Sequence, residues 1–401
     1  MRFARASYVA GLALMLAAAC DERRPPAKHV SHVAALPAAA CGRTHPQHGA
    51  LCGVAYPRTG AVAFMPDASN MDASAISTLD AGAVDARVLT PEERLQMRGE
   101  YLVRHVAACM ECHTPRLPSG DFDKNRLLSG VENLADLEPA DDTRGMVHSR
   151  NLTPDEETGL GKWSDEQIKK AFQQGIDDEG KTLSWMMPYW VFHNMKADDA
   201  DAIVAFLRSI PAVVHEVPEN QPLSVELTAP YELPLAAIPE TGLSASHPDF
   251  ESAERGRYLA TAVSPCALCH TPVVPGDNTL PIDAAQLFAG RRKWAPVKLG
   301  VAFDMSAPQI DSFNITPHTN GIGSFSAMDV ANTLRVGVGR SALPVCDPMP
   351  SGTFGSFLGM SPQDALDIGH YLTTIPPIDT GVIKVCCTAC HKGGASDAGG
   401  S

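Results

Sequence analysis

Three stretches of this 401-residue chain set two cysteines and a histidine at one spacing: Cys109-Met-Glu-Cys112-His113, Cys266-Ala-Leu-Cys269-His270 and Cys387-Thr-Ala-Cys390-His391. On a helix, positions i, i+3 and i+4 face the same way. Two thiols so placed can add to the two vinyl groups of one porphyrin, and the adjacent imidazole can then reach its iron as an axial ligand. Zinc would need two such pairs close together or a clustered pair of histidines, and a thioredoxin-like CxxC would need a βαβ pattern, which this chain lacks. Chance produces the run in only about one chain in a hundred of this composition. Covalent haem is therefore the expected chemistry at the first two motifs.

Those two motifs sit inside a long internal repeat. Arg98-Gly-Glu-Tyr101 through Cys-His-Thr-Pro115 aligns without a gap on Arg255-Gly-Arg-Tyr258 through Cys-His-Thr-Pro272. Asn151-Leu-Thr-Pro154 returns as Asn314-Ile-Thr-Pro317, Gly159-Leu-Gly-Lys-Trp-Ser164 as Gly321-Ile-Gly-Ser-Phe-Ser326, Met187-Pro188 as Met349-Pro350, and Leu207 to Pro211 as Leu372 to Pro376. Preserved order and spacing predict a duplicated domain with a core in each copy.

The elements that must position the motifs read as helical. Thr90-Pro-Glu-Glu93 is a capping box with proline at the first helical position, opening a helix toward Cys109. Ser164-Asp-Glu-Gln167 opens a helix ending near Gly175, and Ser326 caps its counterpart, ending near Gly337. Lys196 to Ser209 is amphipathic, with Ile203, Val204, Phe206 and Leu207 toward the core, and Ser361-Pro362 opens its equivalent. No hairpin signal stands out. The Pro-rich stretch between the copies reads as an extended connection packed along the surface.

On these motifs the chain resembles the class I-like c-type cytochromes in their tandem, multihaem form. The run Asn-x-Thr-Pro, Gly-x-Gly-x-Trp-Ser-Asp-Glu, Met-Pro-Tyr is most similar to the cytochrome subunit of bacterial membrane-bound alcohol and sugar dehydrogenases. That subunit usually has three full haem domains, and this chain has room for two. The resemblance implies an all-α fold: cytochrome c domains at 89–212 and 250–378, a Pro-rich connection at 213–249, and a tail at 379–401.

It also implies a methionine as the sixth ligand, since thioether sulfur favours ferrous iron. Among the candidates Met146, Met186, Met187, Met195, Met305, Met328, Met349 and Met360, only the pairs Met187/Met349 and Met195/Met360 recur in register. Met187 and Met349 precede proline in the loop before the last helix, where the family carries its ligand. Met195 and Met360 sit at a helix start, an ordinary place for a core methionine. The expected iron ligands are thus His113 with Met187 and His270 with Met349. Trp163, with Phe325 as counterpart, is a candidate to pack on a haem edge or simply a core aromatic.

The third motif has only ten residues after it and no following methionine. Two readings stay open: a third haem on Cys387, Cys390 and His391, with a distal ligand such as His318 or His370 or none, and a thiol-rich tail. Cys386 could pair with Cys346 under either.

At the other end, Arg2 and Arg5 followed by the apolar run Tyr8 to Ala18 form an export signal, residues 1–19, too short to span a bilayer. Ala17-Ala18-Ala19-Cys20 resembles a lipoprotein box that would lipidate Cys20 and tether the chain to a membrane. Residues 20–88, rich in Ala, Pro, Gly, Ser and Asp, read as a flexible, disordered tether, with Cys41 and Cys52 a local disulfide candidate in an oxidising compartment.

Net charge is −14, from 32 basic and 46 acidic residues, which excludes the basic face a nucleic-acid binder needs. The expected function is electron transfer in the periplasm or cell envelope of a bacterium, between redox protein partners such as a dehydrogenase or oxidase. Two other readings compete. A dihaem peroxidase-like enzyme would need one iron without its methionine. A haem subunit of a dehydrogenase complex would be the same carrier held by a partner.

Overall fold

The computed structural model describes residues 88–136, 146–220, 230–274, 282–294, 297–298, 301–304, 310–339, 345, 348–352 and 355–381. Cys20, Cys41, Cys52, Cys346, Cys386, Cys387, Cys390 and His391 lie outside them, as do the export signal and almost all of the tether.

Helix α1 (Pro91–Tyr101) starts where its capping box predicts: Glu93 N–H donates to Thr90 Oγ1 at 3.1 Å and Thr90 N–H to Glu93 Oε2 at 2.8 Å. It runs on into a π-helical turn, Leu102–Val106, closed by Ala107 N–H on Leu102 O at 2.8 Å. Ala108, left-handed at φ 54°, ends that turn, and the short helix α2 (Cys109–His113) carries the first motif.

Strands β1 (Val131–Asp136) and β2 (Met146–Ser149) follow, then α3 (Asp165–Gln174), α4 (Tyr189–Phe192) and α5 (Ala197–Ser209). Helix α3 has both bonds of its Ser164–Gln167 capping box and stops at Gly175, whose φ of 68° suits the left-handed cap. Helix α5 packs across α1. Gly99 makes the crossing tight, since a Cβ there would lie 1.8 Å from Ala202 O. Ile203, Val204, Phe206 and Leu207 of α5 are buried as the amphipathic pattern requires, at about 1.5–3 kcal/mol for each large apolar side chain.

The second half repeats this plan. Helix α6 (Phe250–Tyr258) runs into a π-helical turn, Leu259–Val263, and α7 (Cys266–His270) carries the second motif. Short strands β3 (Lys293–Trp294), β4 (Val297–Lys298), β5 (Val301–Asp304) and β6 (Ile310–Asp311) precede α8 (Ala327–Val336) and α9 (Pro362–Leu372). Helix α8 is boxed by Ser326 and Asp329 and capped by Gly337 at φ 70°. Gly256 lets α6 meet α9 as Gly99 does in the first half, its Cβ position lying 1.9 Å from Asp367 O.

The halves hold each other by a reciprocal exchange. Tyr101 OH donates to Asp364 Oδ2 (2.5 Å) and accepts from Ser361 N–H (3.0 Å) at the start of α9. Tyr258 OH donates to Asp199 Oδ2 (2.6 Å) and accepts from Lys196 N–H (3.2 Å) at the start of α5. Each tyrosine, equivalent in the repeat, thus caps the last helix of the other half. Burial and the adjacent carboxylates push both hydroxyls well above the usual tyrosine range.

The molecule is helix-rich, but not free of strands as the motif pattern implies. Strands β1 and β2 pair antiparallel, and β1 also pairs in parallel with β5, Ala135 opposite Phe303, so one small sheet in the order β2-β1-β5-β4 joins the two halves. Strands β3 and β6 form a second pair. These strands are short and lie in stretches without clean alternation, so no period of two reveals them. The connection between the halves also differs from a surface strap. Leu233 and Ile238 are buried in the core, and Tyr231 meets Trp190 edge-on with centroids 6.0 Å apart. Among the described residues no helix is long and apolar enough to cross a membrane.

Candidate functional site

Helices α2 and α7 each present their two cysteines and histidine to a single cavity of about 1640 Å³, lined by Cys109, Cys112, His113, Cys266, Cys269 and His270 together. It exceeds the roughly 300–1,000 Å³ of an ordinary small-molecule site. Its other walls are largely apolar: Leu160, Phe172 and Trp163 from one half, Phe325, Leu334 and Phe357 from the other.

The histidines are held alike. His113 Nδ1 is 2.8 Å from Arg150 O, and His270 Nδ1 is 2.8 Å from Phe313 O. A backbone carbonyl at Nδ1 fixes the tautomer with the proton there and leaves Nε2 as the metal-binding nitrogen. Burial lowers both imidazoles below the usual histidine range, which favours that neutral form.

The loops supplying these carbonyls are held by the Asn-x-Thr-Pro motifs. Buried Asn151 accepts from Thr153 N–H (2.9 Å) and Thr153 Oγ1 (2.8 Å), and donates to Val213 O (2.8 Å) and Thr158 Oγ1 (3.0 Å). Asn314 accepts from Thr316 N–H (2.9 Å) and Thr316 Oγ1 (2.8 Å), and donates to Ile378 O (2.8 Å). Thr153 and Thr316 each accept the N–H of the segment beyond the last helix, at Val213 (3.1 Å) and Ile378 (3.0 Å). The repeat flags these residues. Their task as clamps between the histidine's anchor and the chain after α5 or α9 is visible only once the chain is folded.

The thiols are buried as well. Burial pushes Cys109, Cys112 and Cys269 up to about 12, against the pull of Arg292 on Cys269, and raises Cys266. A redox-active pair needs a thiolate held at a low pKa, and burial works against that here. Among the described residues no group of three or more His, Cys, Asp or Glu converges.

Of the candidate distal ligands, Met187 and Met349 line the cavity, as does Met186 beside the first. Met195 and Met360 are 6% and 1% exposed, sit in the core, and do not line it. Met328 is exposed on α8, and Met305 lies outside the described residues. Trp163 and Phe325 both line the cavity. His318 and His370, the candidate partners for a third haem, are bonded through Nδ1 to Asn320 Oδ1 and Ser252 Oγ, each at 2.8 Å.

The cavity's donors and apolar walls are of the kind that could hold porphyrins at their edges, as c-type cytochromes do. No protein-family model matches the chain. The curated proteins it is similar to include several cytochrome c subunits of dehydrogenases. It is 28% identical over 321 residues to the alcohol dehydrogenase (quinone) cytochrome c subunit of Gluconacetobacter polyoxogenes, covering 76% of this chain and 61% of the relative. It is 26% identical over 251 residues to the gluconate 2-dehydrogenase cytochrome c subunit of Pantoea cypripedii, covering 61% and 52%. It is 26% identical over 283 residues to the fructose dehydrogenase cytochrome subunit of Gluconobacter japonicus, covering 70% and 52%. The chain thus spans less than two thirds of the length of each of these relatives.

Proposed function

We propose that this protein is a dihaem c-type cytochrome that passes electrons from a dehydrogenase to a further redox partner. It is built of tandem domains at 89–212 and 250–378 joined by the connection at 213–249. The observation that carries the reading is the shared cavity: both CxxCH helices face it, and each histidine is held through Nδ1 with Nε2 left to bind metal. Haem c, when bound, supplies a one-electron ferric–ferrous couple.

Cys109 and Cys112, and likewise Cys266 and Cys269, would hold the porphyrin through thioethers. His113 and His270 would supply the imidazole ligands, and Met187 and Met349, the two in-register methionines on the cavity wall, would supply the thioether ligands. A methionine available at each site favours a carrier over a dihaem peroxidase, which would need one iron without its methionine. The apolar walls exclude water and hold the ligands still, so little has to rearrange when the charge changes. All four cysteines line the one cavity, which supports transfer between neighbouring haem edges. The names of the relatives support a dehydrogenase as the partner. Export to the periplasm or cell envelope and a lipid tether at Cys20 belong to the same proposal through their sequence motifs, and Cys387, Cys390 and His391 are the site of a third haem if the count is three.

Haem stoichiometry of the purified protein, by pyridine haemochrome assay and intact mass, is the test. Two haems support the reading, three add the tail motif, and none overturns it. Carbon monoxide then separates carrier from peroxidase: reduced, six-coordinate His/Met sites resist it, whereas an open site binds it.

A further inference from the structure

The halves match closely around their motifs, and among their differences is the buried charge of Arg292. The chain after each motif returns in register, Gly130 N–H on His113 O at 2.9 Å and Gly290 N–H on His270 O at 2.7 Å. Two residues on, the first half has Glu132 and the second Arg292. Glu132 is half-exposed and pairs with His215 at 3.4 Å. Arg292 is only 6% exposed. Its backbone is bonded both ways to Ser312, at 3.0 and 2.8 Å, next to the Phe313 carbonyl that holds His270. Its guanidinium lies over the ring of Trp185, from the other half, 4.6 Å from the centroid, and interacts with the Cys269 thiol. Trp185, Ser312 and Cys269 all line the cavity. Burial draws the guanidinium down to about 10, which still leaves it charged at neutral pH.

We propose that Arg292, clamped by Trp185, is a positioning residue that makes the second haem the more oxidising of the two, so that electrons run from the His113 site to the His270 site. The proposal rests on the dihaem reading above. Reduction adds one negative charge to an iron porphyrin, and a fixed cation nearby favours that state, more strongly when both are out of water. At the first site the in-register charge is negative and partly solvated. The exposed groups on that side of the cavity are of both signs, Asp178 and Glu219 with Arg150 and Lys181, and are screened by water. The step moves one electron and no proton: ferrous iron at His113 becomes ferric as ferric iron at His270 becomes ferrous. An external one-electron donor, such as the dehydrogenase, refills the first site, and an external one-electron acceptor empties the second.

The test is potentiometric titration of the intact protein, followed in the haem absorption bands, for the parent, Arg292→Gln, Arg292→Lys and Trp185→Leu. The parent should give two one-electron waves. Arg292→Gln should lower the upper wave and leave the lower one, shifting the electron distribution between the haems by about tenfold, or roughly 59 mV for a one-electron couple. Arg292→Lys keeps the charge and should hold most of the upper potential. Trp185→Leu, which frees the guanidinium without removing it, should lower the upper wave part of the way, and serves if Arg292→Gln does not fold. Cys109→Ala/Cys112→Ala, which removes the first attachment site, should retain the upper wave. The proposal is overturned if Arg292→Gln and Trp185→Leu keep both haems with the upper wave unmoved, if Lys and Gln shift it equally, or if the variant without the first attachment site retains the lower wave. A parent without two haems overturns the dihaem reading instead, and the haem count of each preparation separates the two failures.

Discussion

Replacing Asn151 with alanine tests whether the Asn-x-Thr-Pro motif holds the loop that anchors the proximal histidine. The side chain is 2% exposed and makes four hydrogen bonds. In the variant, Val213 O can still receive Thr153 Oγ1, which lies 3.3 Å away, and Thr158 Oγ1 still has Asp155 at 2.7 Å. Thr153 N–H, in a residue with no exposure, has no replacement acceptor. An orphaned buried donor costs about 1–3 kcal/mol, and each of the other lost bonds about 0.5–1.5 kcal/mol net. Because two of those partners re-pair, the expected loss is about 3 kcal/mol. In a folding unit of 150–250 residues each kcal/mol lowers Tm by about 2–4 °C, so the variant should melt roughly 6–12 °C below the parent. The clamp sits one residue from Arg150, whose carbonyl orients His113. The absorption of one haem should therefore broaden or shift, while Asn314→Ala does the same to the other. Differential scanning calorimetry and the visible spectrum of the holoprotein are the assays. A Tm within 1–2 °C of the parent, with both haem spectra unchanged, would refute the clamp and the estimate together.

Met187→Ala and Met349→Ala should each remove about half of the far-red charge-transfer band of ferric His/Met haem, whereas Met195→Ala and Met360→Ala should leave it and cost about 2–5 kcal/mol as core truncations; the band and the melting temperature sort the four. His113→Ala and His270→Ala should each leave one normal haem, read by haemochrome content and mass. Tyr101→Phe and Tyr258→Phe each remove a hydroxyl bonded to a carboxylate across the halves and should cost about 1.5–3 kcal/mol; a double-mutant cycle in urea checks them. His105, bonded through Nδ1 to Ser356 O at 3.0 Å across the halves, has its pKa lowered by burial. The unfolded chain therefore binds more protons between that lowered value and about 6.5, so stability should decline as pH falls below about 6.5. His105→Gln should flatten that part of the profile, measured by melting between roughly pH 4.5 and 7.5.

The proposed chemistry is legible in the sequence because covalent haem attachment needs contiguous residues. A five-residue run carries both thiols and the histidine, and a repeat of that run marks the second site. Helix starts were legible for the same reason: Thr90 with Glu93, Ser164 with Gln167 and Ser326 with Asp329 are caps three residues long, and all three close as their spacing requires. The core face of α5 follows from its period. What depended on distant parts of the chain was not legible. Met187 and Met195 both recur in register; the proline after Met187 favours it in the sequence, and the fold sets Met187 on the cavity wall and Met195 in the core. The pairing of β1 with β5, the exchange of Tyr101 and Tyr258 onto each other's helix starts, and the seating of Arg292 on Trp185 join residues more than 50 positions apart. No local pattern encodes such contacts, because each depends on how two packed halves meet. The sequence could say that two haem motifs exist. That they face one shared cavity, with the cation of Arg292 buried beside the second, was decided by the packing of the halves.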